Sequence, residues 1–297
     1  MGTRSLISFD YAVKRLLRNK ADYEILEGFL SELFRRQIGI DTILESESNR
    51  EAEHDRSNRV DLLAGDESGE LFIIELQFTY EIDYFHRMLF GASKVVTEYI
   101  AEGNPYGEIR KVYSVNIVYF DLGMGKDYVY YGKTRFTGMH EHDELQLSAS
   151  QRETFGKQTA GDLFPEYYIL KVNKFDNVAG DTLDEWIYYL KNSKIKDGFK
   201  AQGLKKAQEV LNVGCLTNEE RKEYERMLDA HRSNASSINS AKLEGREEGR
   251  EEGRAEGKAE GQAELVKHIA KTGHSPENIA GLTGLSLEEV IAILNSH

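Results

Sequence analysis

Apolar residues recur along this chain with different periods, and each change of period marks an element. Near the start, Phe9, Val13, Leu16 and Leu17 fall at helical spacing behind Ser5 or Ser8, either of which would cap the helix. A second helical stretch carries Ile25, Leu26, Phe29, Leu30, Leu33 and Phe34 on one side. After Gly39 the text changes to strand. Ile40–Leu44 predicts one, and Arg59–Ala64 and Leu71–Phe78 predict two better ones, joined by the turn-rich Gly65-Asp66-Glu67-Ser68-Gly69 as a hairpin. Phe85, Met88, Leu89, Ala92, Val95, Val96, Tyr99 and Ile100 then form the unbroken stripe of a helix that Gly103-Asn104-Pro105 ends. Lys111–Phe120 is apolar almost throughout, as in a buried strand, and Tyr128–Phe136 and Tyr167–Phe175 predict further strands. The order predicts a mixed α/β core over residues 1–176.

Beyond it the chain becomes helical. Thr182-Leu183-Asp184-Glu185 is a capping-box pattern ahead of Trp186, Ile187 and Leu190, and Thr217-Asn218-Glu219-Glu220 opens another helix. These belong to a helical extension, 177–240. A low-complexity tract follows at 241–265, with glycine at 245, 249, 253, 257 and 261 among Glu and Arg. A repeat of four drifts by about 40° per step against a helix of 3.6 residues per turn. Glu and Arg favour a helix while each glycine costs about 1 kcal/mol against alanine. The tract therefore predicts a marginal solvated spacer helix or a charged linker. Ser275-Pro276-Glu277 and Ser286-Leu287-Glu288-Glu289 look like two helix starts flanking Gly284, which makes 266–297 a small helix-turn-helix-like module. Its second helix offers Glu288 and Glu289 and no basic residue, so protein contact is a better reading of it than sequence-specific DNA reading.

Composition narrows the classes. With 40% hydrophobic residues the chain can build a core. No apolar run approaches the ~20 residues that span a bilayer, and the first residues lack the apolar region of a secretory signal. The single cysteine, Cys215, forms no internal disulfide and reads as a structural thiol, so a cytoplasmic location is expected. A net charge of −13 argues against a protein that coats DNA through a basic surface, but not against an acidic metal pocket flanked by local cations.

Candidate chemistry sits on the hairpin. Residues two apart on a strand share a face, about 6.6 Å from each other. On Leu71–Phe78 that groups Glu75 and Gln77 with Leu71 and Ile73, so a carboxylate and an amide interrupt an otherwise apolar strand. Asp61 interrupts Val60, Leu62, Leu63 and Ala64 on the neighbouring strand. A buried carboxylate is costly unless paired or bound to metal. If the hairpin pairs as its turn suggests, Asp61 and Glu75 converge on one hard cation held by oxygen ligands, which would polarise a phosphate and activate a water. The competing reading makes Asp61 a strand-end residue and pairs Glu75 with an arginine. Gln77 can orient a water or a phosphate oxygen but carries no charge.

The chain resembles the Rpn group of recombination-promoting nucleases and transposases in the PD-(D/E)XK superfamily. The matching stretches are Phe9-Asp10-Tyr11-Ala12-Val13-Lys14-Arg15-Leu16-Leu17, Arg59-Val60-Asp61-Leu62-Leu63, Ile73-Ile74-Glu75-Leu76-Gln77, Gly103-Asn104-Pro105-Tyr106, Lys174-Phe175 and the glycine-repeat tail. The resemblance implies a restriction-endonuclease-like mixed sheet flanked by helices, with a helical C-terminal extension. It implies Asp61 and Glu75 as metal-binding acids for Mg2+ or Mn2+, with Gln77 where the wider superfamily has lysine. The Asp10/Lys14 pair matches the group's N-terminal motif; Asp10 would add a metal contact and Lys14 the missing positive charge. The alternative for this pair is a surface i, i+4 ion pair. Arg87 and Lys94, on the polar side of the following helix, are candidate phosphate contacts or ordinary solvated charges.

The expectation is a Mg2+-dependent DNA endonuclease of the transposase-associated type, without a membrane partner, which self-associates through its helical tail. The alternative is a catalytically weakened nuclease fold that binds DNA or protein. His140-Glu141-His142-Asp143 resembles a metal cluster in composition only and reads as a surface loop, without the spacing of a zinc-protease helix. No phosphate-binding glycine loop, nucleophile elbow or cysteine-rich zinc pattern is present.

Overall fold

The computed structural model describes residues 8, 11–12, 23–44, 62–100, 104–213 and 216–295. They fall into two compact units divided after Asp229.

The first unit is built on a six-stranded sheet. Its strands are β1 (Ile40–Leu44), β2 (Leu62–Asp66), β3 (Leu71–Gln77), β4 (Val112–Val118), β5 (Val129–Gly132) and β6 (Glu166–Lys171), in the order β1-β2-β3-β4-β6-β5. β1, β2 and β3 form an antiparallel meander, β3, β4 and β6 run parallel, and β5 closes the edge antiparallel to β6. The β2–β3 hairpin forms where the turn-rich segment predicts it. Asp66 Oδ1 accepts from the Glu70 amide at 2.8 Å and the Ser68 hydroxyl at 2.7 Å, and Gly69 takes φ +84°, a conformation that disfavours a side chain.

Helices cover both faces. On one face α1 (Glu24–Phe34) and α4 (Thr182–Asn192) press Ile25, Phe29, Trp186 and Leu190 onto Phe72, Ile74, Val115 and Ile117. Trp186 is fully buried, edge-on to Phe29 at 5.6 Å, and its indole N–H donates to the Gln202 carbonyl at 3.0 Å. The chain around Gln202 runs so close to α1 that a Cβ at Gly28 would lie 2.3 Å from the Gln202 oxygen. The segment after residue 176 therefore shares the core of the sheet through α4 and through α5 (Leu204–Val210), whose Leu204 and Ala207 are buried in it.

On the opposite face lies α2 (Tyr84–Glu98), the crossover between the parallel strands β3 and β4. Its apolar stripe is wider than the surface it buries. Tyr84, Met88, Ala92 and Val95 face the sheet, whereas Phe85 and Leu89 stay half exposed. The packing on this face is in two patches, Leu71, Ile73 and Val112 against Ala92 and Val95, and Val118 and Leu122 against Tyr84 and Met88. The predicted strands around residues 128–136 and 167–175 are shorter than the pattern suggests. β5 stops at Gly132, and β6 gives way after Lys171 to a 3-10 turn at Val172–Lys174. A short helix, α3 (Ala149–Phe155), begins at a full capping box on Ser148 and Gln151.

Helix α6 (Asn218–Lys271) contains the whole glycine tract, and around those glycines nothing approaches within 4 Å of where a side chain would sit. In the second unit α7 (Pro276–Thr283) and α8 (Leu287–Asn295) pack Ile279 and Val290 against Val266 of α6. Ser275 caps α7, and Gly284, at φ +71°, ends it. Among the described residues no helix is long and apolar enough to cross a membrane.

Candidate active site

Between the two apolar patches beneath α2, the sheet turns polar. Glu75 and its register partner Asn116 point toward the helix there, with Ser114 two residues earlier on β4 and Gln77 two residues later on β3. Asn116 is fully buried and saturated. Its oxygen accepts from the Tyr84 hydroxyl at 3.3 Å, and its amide donates to Ser114 Oγ at 2.9 Å and to the Ser114 and Tyr168 carbonyls. It fixes the floor and the start of α2. The sequence carried a signal for Asn116, a polar interruption of an apolar strand like the one that singled out Glu75.

Glu75 is 7% exposed. Gly91 brings the helix backbone against it, since a Cβ there would lie 3.9 Å from Oε1. Arg87, one turn earlier on the same edge of α2, sets its Nε 3.8 Å from Glu75 Oε2, an ion pair too long for a hydrogen bond. The same guanidinium donates through Nη1 to both oxygens of Glu81, at 3.0 and 3.2 Å. Burial opposes the Arg87 charge, but the carboxylates of Glu75 and Glu81 outweigh it and hold its pKa above the ordinary arginine value. Glu81 also accepts from Gln77 Nε2 at 2.7 Å, and Gln77 Nε2 donates again to the Thr79 carbonyl at 3.1 Å. Glu75, Arg87, Glu81 and Gln77 thus form one chain of contacts at the C-terminal end of β3. Glu81 lies in a loop, and no periodicity marked it.

The other candidates are placed unequally. Asp61, Asp10 and Lys14 lie outside the described residues, as does Cys215. Leu62, which follows Asp61 in the chain, pairs with Ile74, which precedes Glu75. Lys94 shares the Arg87 side of α2 and reaches Glu98 at 3.5 Å. Lys171, 2% exposed on β6, turns its ammonium to the Tyr130 ring at 5.5 Å. Residues 140–143 lie in an exposed loop. Among the described residues no three His, Cys, Asp or Glu side chains gather as a metal site by themselves.

The donors present are carboxylate and amide oxygens, which suit a hard divalent cation and not a soft one. A guanidinium already seated between Glu75 and Glu81 shows that the field there favours positive charge. A cavity of about 750 Å3 lies elsewhere. It is lined by Glu70, Arg110, Lys111 and Lys157 at the N-terminal end of β3, where Lys111 pairs with Glu166 and Lys157 with Glu70, each at 2.8 Å.

Compared with known proteins, residues 7–150 match the family described as PD-(D/E)XK nuclease family transposase. No curated protein and no solved structure matches the chain.

Proposed function

Because residues 7–150 of this chain belong to the PD-(D/E)XK nuclease family transposases, we propose that it is a Mg2+- or Mn2+-dependent DNA endonuclease with its reaction centre at Glu75. The observation that carries this reading is a carboxylate buried near the end of a central strand, with the Arg87 guanidinium 3.8 Å away. Asp61 and Glu75 hold the ion, with Asp10 as a further contact. Leu62, which follows Asp61 in the chain, and Ile74, which precedes Glu75, are register partners in the hairpin. When bound, a divalent cation supplies Lewis acidity to the scissile phosphate and lowers the pKa of a coordinated water. Arg87 pairs with Glu75 and Glu81 in the resting site and would turn to a phosphate oxygen; Lys94 and Lys14 supply further positive charge. Gln77 belongs to the reacting end of the site, and the tail from α6 onward serves self-association or targeting.

The test is nicking of supercoiled plasmid with Mg2+ or Mn2+, comparing wild type with Asp61→Ala and Glu75→Ala. Wild type nicks and both variants do not; equal cleavage by all three removes the assignment. One observation favours a second reading. Arg87 already answers Glu75 as a structural ion pair would, and on that reading the domain is a weakened nuclease fold that binds DNA or protein. Absence of metal-dependent nicking by wild type with either ion selects it.

A further inference from the structure

Gln77 stands where a lysine would act as a charged donor, and the hydrogen bonds around it decide which end of its amide faces the site. A glutamine amide has two N–H hydrogens on one side and an acceptor oxygen on the other. The two groups within reach of Nε2 are the Thr79 carbonyl at 3.1 Å and the Glu81 carboxylate at 2.7 Å. Both are acceptors only. Turning the amide over would set its oxygen against two other oxygens and forfeit both bonds. The hydrogens of Gln77 are therefore spent on the loop that follows β3, and its carbonyl oxygen faces away from them. Among the described residues that oxygen accepts no hydrogen bond.

We propose that Gln77 works as an oxygen donor to the cation or to its water, and that Glu81 is the positioning residue that makes it one. This rests on the reading of Glu75 as a metal ligand. Glutamine here is then no neutralised lysine. A lysine at 77 has donors only, would turn to Glu81, and would bring a second cation to a site that Arg87 already supplies. Glu81 acts twice in this arrangement. It orients the amide, and both of its oxygens accept from Arg87 Nη1, which tethers that guanidinium 3.8 Å from Glu75.

Mn2+ binding to the full-length protein, read by the loss of the free-ion paramagnetic resonance signal, separates the alternatives. Plasmid nicking is followed in parallel, and a melting curve checks that each variant folds. Q77K weakens Mn2+ binding by about tenfold or more, the scale for disturbing groups around a metal, and gains no nicking. E81Q weakens Mn2+ binding by about tenfold in the wild-type background, because either end of the new amide can meet Gln77. In a Q77E background the sign reverses. A carboxylate at 77 presents oxygen at both ends and needs no orienting, and E81Q there removes a like-charge contact, so binding tightens. A purely structural Glu81 would give E81Q the same effect in both backgrounds, and that result overturns the proposal. So does a Q77K protein that binds Mn2+ as tightly as wild type or nicks faster. If wild type binds Mn2+ no better than Glu75→Ala, the metal reading itself falls, an outcome distinct from the other two.

Discussion

Strand β3 has a glutamate near each end, and the two are treated in opposite ways. Glu70, just before its first residue, is gripped directly. Lys157 donates to it at 2.8 Å, Arg36 forms a second hydrogen-bonded ion pair, and the Tyr113 hydroxyl adds a contact at 3.4 Å. Arg36 is itself held against the Phe34 and Tyr113 rings, 5.8 Å from each. Burial raises the Glu70 pKa, but the Lys157 hydrogen bond and the charges of Lys157 and Arg36 prevail and leave it below the ordinary carboxylate value. Glu75, with a side chain of similar exposure, 9% against 13%, has the Arg87 guanidinium at 3.8 Å. A carboxylate hydrogen-bonded directly to a lysine and an arginine is a fastener. The arginine beside Glu75 stands off and is tethered to a third residue, Glu81. Burial alone does not distinguish them; the lengths of the contacts do.

Substitutions at the two ends break this contrast in different measurements. The largest effect is on catalysis. Glu75→Ala lowers metal-dependent nicking by on the order of 100-fold or more, the scale of losing a metal ligand, while the melting temperature moves little. Glu70→Ala does the reverse, costing about 1–3 kcal/mol in urea unfolding, as when a charged hydrogen-bond partner is lost, and leaving nicking intact. If Glu70→Ala abolished nicking at unchanged stability, the division of roles would be wrong.

The next effect is on pH. A carboxylate whose folded pKa is depressed contributes stability that is fully present above its unfolded value, 4.5 for Glu70, and is lost as pH falls through the lower folded value. Wild type therefore loses stability more steeply than Glu70→Gln below pH 4.5. Parallel curves in acid would show that the pairs with Lys157 and Arg36 contribute nothing net. The smallest effect is Tyr113→Phe, which removes a 3.4 Å contact to Glu70 and costs about 0.5 kcal/mol.

How much of this could be read in the sequence depended on whether a feature was local. The β2–β3 hairpin was legible because its turn chemistry and its strand alternation sit within twenty residues, and Glu75 was legible as a charge in an apolar strand. The α2 helix was legible as a helix but not in its exposure, since Phe85 and Leu89 belong to the same stripe as Met88 and only the sheet's edge decides which of them it covers. The lengths of β5 and β6 are tertiary too. Polar residues follow Gly132, and β6 bends into its 3-10 turn where the Lys171 amide still donates to Tyr128 at 2.7 Å. Neither the order of β4, β6 and β5 nor the packing of α4 under the sheet has a local signature. Glu81 was invisible for the same reason, because its role comes from reaching Arg87 across six residues and Gln77 across four.

The position of β4 has a further use. Every residue from Val112 to Val118 is buried, and the strand is hydrogen-bonded on both sides, to β3 and to β6. Its amide hydrogens can exchange with solvent deuterium only when the sheet as a whole opens, so their exchange rate is an internal gauge of global unfolding. Asn116 lies in the middle of that gauge and faces Glu75 across the strand pair. A variant that falls silent in chemistry while its β4 amides stay protected has lost its reactive groups; one in which they exchange has lost its fold.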